Sequence, residues 1–118
     1  KTRVLIARVL AGQPQIILAD EPVAGLDPRH QLEVMALLHQ FTREGGAVLT
    51  VLHDLSLAAR FCDRIYLMKE GAVSAQGSPE EVLSPENLRD VYGIEAVCQT
   101  VEDSMTITPW KCLDQKEL

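Results

Sequence analysis

The chain has three cysteines, Cys62, Cys98 and Cys112, and none is spaced as CxxC. An odd, unpatterned set argues against a disulfide framework and against a zinc site, and reads as three reduced thiols. Clustered positive charge is also missing. Eleven basic residues are scattered through 118, and the formal net charge is −6. A groove that follows a nucleic-acid backbone needs grouped Lys and Arg, so no nucleic-acid partner is expected. No apolar run approaches the ~20 residues that span a bilayer, and no secretory signal pattern is visible. Membrane association would therefore go through a protein partner. Internal repeats and low-complexity linkers are absent as well.

What is present suits a globular domain. Apolar residues make up 47% and charged residues 24%, enough for one core. The chain starts without methionine, inside an amphipathic helical pattern over 1–11, with Arg3 and Arg8 off the apolar face. It ends in the polar run Asp114–Leu118. Both ends suggest the C-terminal part of a longer protein.

The stretch 16–27 organises the rest. Ile16-Ile17-Leu18-Ala19 is an apolar run too short for a helix of its own. It closes on Asp20-Glu21, then Pro22, then Ala24-Gly25-Leu26-Asp27. A buried strand ending on acids puts them at the carboxyl edge of a sheet, where open α/β sheets bind ligands. Pro22 disfavours helix at Glu21 and ends the strand cleanly. Asp20 can hold a divalent metal, and Glu21 can polarise a water. The plainer alternative is a strand that runs into an acidic turn.

This stretch resembles the Walker B strand, catalytic glutamate and D-loop of the ATP-binding cassette (ABC) transporter ATPases. The resemblance implies that Asp20 holds Mg²⁺, that Glu21 activates the attacking water, and that Asp27 sits at the interface of an ATPase dimer beside bound ATP. The family usually has Thr or Ser after the proline, where this chain has Val23. That change removes a hydroxyl and leaves the carboxylates.

Further along, Asp27-Pro28 caps a helix over about 28–43, with Leu32, Met35, Ala36, Leu38 and His39 at helical spacing and Gly45-Gly46 as its stop. His30 and His39 read as surface or satisfied helix histidines. Residues 47–52 form a second apolar strand, ending at His53-Asp54. A short helix over about 55–62 follows, then a strand at 64–68, a turn at Lys69–Ala72 and a return arm at 73–76. Ser78-Pro79 and Ser84-Pro85 each start a helix, and Gly93 ends the second. Residues 94–101 and 105–108 are expected to be terminal strands. Strand, helix, strand, short helix, strand indicates an α/β fold. The resemblance makes it a P-loop NTPase-type parallel sheet with flanking helices, in its C-terminal half only, with residues 1–118 as one part of a nucleotide-binding domain.

His53 is the second chemical signal. Neighbouring strand ends converge in this fold class, so His53 is expected beside the carboxylate pair. ABC ATPases carry a switch histidine there, and the resemblance gives His53 a γ-phosphate contact. An imidazole can donate to a phosphate oxygen as charge redistributes. A structural strand-end histidine is the alternative. The motif Gly-x-x-x-x-Gly-Lys-Ser/Thr is absent. The 118 residues by themselves are therefore expected neither to bind nor to hydrolyse ATP well.

The runs from His53 to Gly71 and from Gly77 to Gly93 resemble importer ATPases for iron-siderophores, haem and cobalamin. The resemblance implies a bacterial importer whose ATPase homodimer lies under two transmembrane permease subunits, on the cytoplasmic face of the inner membrane. A periplasmic or surface substrate-binding protein would act indirectly. Two other readings compete. A DNA-repair type of ABC ATPase would carry heptad-rich coiled coils, which the segment before Asp20 lacks. A non-catalytic interaction fragment would have no native use for Glu21 and His53, although it describes the behaviour expected of the 118 residues in isolation.

Overall fold

A computed structural model describes residues 8–114, and these divide into two units, Lys1–His53 and Asp54–Leu118. The expected positions before residue 8, Arg3 among them, and those after 114 lie outside the described residues.

In the first unit, residues 8–11 are helical and exposed Arg8 lies among them. Strand β1 (Ile16–Asp20) and strand β2 (Ala47–Val51) pair in parallel, in register from Ile16↔Ala47 to Asp20↔Val51. Helix α1 (Pro28–Arg43) connects them and lies against β2. Its start follows the capping rules: Asp27 is the N-cap and Pro28 occupies the first turn. The glycine stop is steric as well as conformational. A Cβ on Gly46 would lie 2.3 Å from the Phe41 ring.

The buried face of α1 differs from expectation. Val34, Met35 and Leu38 are buried, whereas Leu32 is 43% exposed and Ala36 is exposed. A period of 3.6 puts 31, 34, 35 and 38 on one stripe, and the ring of apolar residues is wider than that stripe. Ile17 of β1 and Val23 are buried with this face's residues as the unit's apolar core. The opposite face of the sheet is open: Ile16, Leu18, Leu49 and Val51 are exposed, Leu18 by 75%. Parallel sheets are ordinarily covered on both faces.

The second unit begins with helix α2 (Leu55–Phe61), capped by Asp54. Strands β3 (Ile65–Lys69) and β4 (Ala72–Gly77) form an antiparallel hairpin. Its turn residues Glu70 and Gly71 both have positive φ, 51° and 79°, as a two-residue hairpin turn requires. Short helix α3 (Pro79–Val82) and helix α4 (Pro85–Tyr92) follow, with Ser78 and Ser84 as N-caps and Gly93 in the left-handed region at the end. Strands β5 (Ile94–Val101) and β6 (Ser104–Cys112) close the chain as an antiparallel hairpin. Leu67, Val82, Leu83, Leu88 and Ile107 form this unit's core.

The parallel pairing of β1 with β2 and the β3–β4 hairpin are as expected, and among the described residues these strands take no further partner. One expectation about a strand is refined. The last strand runs to Cys112 instead of stopping at Thr108. Pro109 cannot donate to a ladder, but the register shifts between Glu95 and Ala96, leaving Trp110 as the extra residue of a bulge that tolerates it. Each unit also has its own core, where the composition suggested one.

Candidate functional site

β1 and β2 carry the acids and the histidine to the same sheet end. The parallel register sets Asp20 opposite Val51, so Glu21 and His53 each follow within two residues of that level. His53 Nε2 lies 2.5 Å from Glu21 Oε1, across 32 residues of sequence. Both side chains remain open to solvent, His53 by 75% and Glu21 by 43%. The pair that sequence spacing left far apart is thus brought together as expected.

Glu21 leaves the strand in an unusual conformation. Its φ is 49°, in the left-handed region that non-glycine residues seldom adopt. Holding a glutamate there costs on the order of 1–2 kcal/mol. Backbone bonds hold it on both sides. Glu21 N–H donates to Val51 O at 3.1 Å, and Glu21 O accepts from Ala24 N–H at 3.1 Å. The result turns the chain sharply out of β1 and lets the carboxylate meet His53.

The turn after Glu21 leads into α1. Pro22 and Val23 are buried. Val23 is 7% exposed and part of the core, an environment that suits an apolar side chain in place of a hydroxyl. Asp27 Oδ1 accepts from His30 N–H at 2.9 Å, and His30 Nδ1 lies 2.7 Å from the same oxygen. The His30 backbone amide, then its ring, hold the Asp27 carboxyl below the usual aspartate range. A short contact between an N-cap and the residue three on has a local signature, and His30 could have been read from it. Gln31 has no such signature: its Nε2 donates to Val23 O at 3.3 Å, eight residues back.

Asp20 is exposed at the end of β1. Among the described residues its carboxylate makes no hydrogen bond or ion pair, and no group of three or more His, Cys, Asp or Glu could hold a metal. That donor set fits one ligand to a hard cation whose other ligands come from elsewhere, as phosphate oxygens and water do for Mg²⁺. The cysteines are free thiols, and burial pushes that of Cys62 up. No helix among the described residues is long and apolar enough to cross a membrane.

No family model matches the sequence. Over 102 residues the chain is 51% identical to the hemin import ATP-binding protein HmuV of Bordetella avium strain 197N, which covers 80% of this chain and 39% of that protein. The chain thus spans about two-fifths of the length of that relative. Among solved structures, an ABC transporter in an inward-facing conformation superposes with a TM-score of 0.82 at 23% identity, over 93% of this chain and 46% of the other. That likeness concerns the fold. The ATP-binding cassette MJ0796, a dimer bound to ADP and Pi after hydrolysis, matches at 40% identity with a TM-score of 0.60, over 67% of this chain and 34% of the other. A strand ending in Asp20-Glu21, a histidine delivered to it by the neighbouring parallel strand, and half-identity to an ATP-binding relative agree: the chain corresponds to the C-terminal part of an ABC transporter ATP-binding subunit.

Proposed function

We propose that this chain supplies the water-activating half of an ATPase site in an ABC importer for haem or a related iron chelate or cobalamin. The Glu21–His53 contact carries the reading. A carboxylate at a strand exit, oriented by an imidazole, suits a general base that takes a proton from water. In this reading Glu21 accepts that proton. His53 steadies the carboxylate and offers a ring N–H to a phosphate oxygen. Asp20 would be the ligand to Mg²⁺, which supplies charge neutralisation for phosphoryl transfer. Asp27 lies at the rim of the site and faces a second ATPase subunit across bound ATP.

The phosphate-binding motif would come from the part of the relatives' length that this chain does not span. The same part would cover the open apolar face of β1 and β2. The full subunit would then sit as a homodimer beneath two permease subunits at the cytoplasmic face of a bacterial membrane, with a substrate-binding protein acting indirectly on the other side. Haem leads the cargoes because the relative at 51% identity is named for hemin import.

Reconstitution tests the cargo. Vesicles carrying the full-length subunit and its permease should take up haem when ATP is present. ATP-dependent uptake of a ferric siderophore or cobalamin, without haem, would reassign the cargo within the proposal. ATP-independent behaviour with all three would overturn it.

A further inference from the structure

The left-handed backbone at Glu21 raises a mechanical question: what keeps the following turn from relaxing? Two side chains from the first turn of α1 reach back to it. His30 engages Asp27 Oδ1 through both its backbone N–H and its ring. Gln31 spans more of the turn. Its backbone N–H donates to Asp27 O at 2.9 Å, while its Nε2 donates to Val23 O at 3.3 Å. Val23 O also accepts from Leu26 N–H at 3.2 Å. Gln31 therefore ties the two ends of the segment 23–27 to one helix residue. It is partly buried, so its amide has reduced access to competing water.

We infer that Gln31 is a positioning residue for the acid turn, holding Val23 and Asp27 so that Glu21 stays at its strained strand exit facing His53. The chain of contacts is continuous. Gln31 fixes Val23 O; Pro22 links Val23 covalently to Glu21; Glu21 O accepts from Ala24 N–H within the same turn. Loss of the Gln31 side-chain donor leaves Leu26 N–H as the partner of Val23 O and frees the turn to slide. Glu21 can then leave the left-handed region, and its carboxylate swings from His53. The inference rests on Glu21 and Asp27 being the working acids, but its geometry does not involve nucleotide.

The test uses amide exchange and ring nitrogen spectra of the 118-residue chain. Gln31→Leu keeps the size and removes the donor, and Gln31→Glu keeps the shape with acceptors only. In both, the amides of Ala24 and Leu26 should exchange about fivefold to tenfold faster, as loss of one hydrogen bond predicts. The amide of Leu38, farther along α1, should be unchanged. The His53 ring nitrogens should move toward the positions they take in Glu21→Gln. Wild-type exchange at Ala24 and Leu26 with an unmoved His53 spectrum overturns the inference. So does equal acceleration at Leu38, which would make Gln31 a general stabiliser of the helix. A change in Gln31→Leu that is absent from Gln31→Glu also overturns it, because packing and not donation would then be responsible. None of these readouts requires ATP, so this inference can fail while the ATPase reading stands, and the reverse.

Discussion

Ser56 Oγ donates to Ile107 O at 2.9 Å and accepts from Ile107 N–H at 2.8 Å, so one hydroxyl satisfies both backbone groups of a residue 51 positions away. A side chain thereby takes the place of a neighbouring strand along β6. Ile107 is buried, and its backbone would otherwise be left unpaired on that side. The hydroxyl joins α2 to the terminal hairpin of the second unit.

Ser56→Ala should remove both bonds and leave two polar groups unsatisfied. The expected loss is about 1–3 kcal/mol, from the usual worth of one to two hydrogen bonds. Urea unfolding followed in the second unit measures it. Amide exchange at Ile107 should quicken more than exchange at Leu88. An unchanged urea midpoint would show that water replaces the hydroxyl without penalty.

Glu21→Gly should stabilise the chain relative to Glu21→Ala. Glycine enters the left-handed region freely, and alanine there carries the same strain as glutamate. Part of the gain is offset by the looser unfolded chain. The expected difference is about 1 kcal/mol in favour of glycine, read from thermal unfolding of the two variants. Equal midpoints would mean that the turn at Glu21 stores no strain.

Asp27 gives a pH dependence with a definite sign. Its folded pKa is lowered from 3.8, chiefly by the His30 amide and then by the His30 ring. A depressed acid contributes stability above its unfolded pKa, and that stability is lost as pH falls through the folded value. Between about pH 5 and pH 2 the wild-type urea midpoint should therefore drop more than that of Asp27→Asn, which keeps a capping oxygen but cannot titrate. Parallel curves would remove the charge of Asp27 from the account.

Much of the site was legible because it rests on local chemistry. An apolar run that ends in two acids and a proline has few readings other than a strand exit, and parallel strands bring such exits together; hence His53 could be matched to Glu21. The starts of α1, α3 and α4 were equally plain, each a capping residue followed by proline. Other features depend on distant partners. Leu32 looked like core because it is apolar, yet the helix has more apolar residues than its buried stripe can take, and Val34 occupies that stripe. The terminal hairpin turns through Glu102 and Asp103, both at positive φ, where glycine or asparagine is the usual sign. Its length was hidden by Pro109, which a bulge accommodates. The Ser56–Ile107 and Gln31–Val23 bonds left no trace in the sequence, since each needs the folded partner to exist.

The chain by itself should show no meaningful affinity for Mg-ATP, because its sequence carries no Gly-x-x-x-x-Gly-Lys-Ser/Thr motif to supply a backbone nest and a lysine for the phosphates. Isothermal titration with ATP and Mg²⁺ checks this directly. Low-micromolar binding would show that the 118 residues hold a nucleotide site of a different kind.

The most direct test of the central claim is steady-state ATP hydrolysis by a full-length subunit containing this chain, compared with its Glu21→Gln variant. The amide is nearly isosteric with the carboxylate but cannot accept a proton as a base. The account predicts nucleotide binding close to that of the parent and turnover lower by about 10²–10⁴-fold, the usual contribution of a general base. Turnover in Glu21→Gln within about threefold of the parent, far short of that contribution, would contradict it and leave the Glu21–His53 pair without a catalytic role.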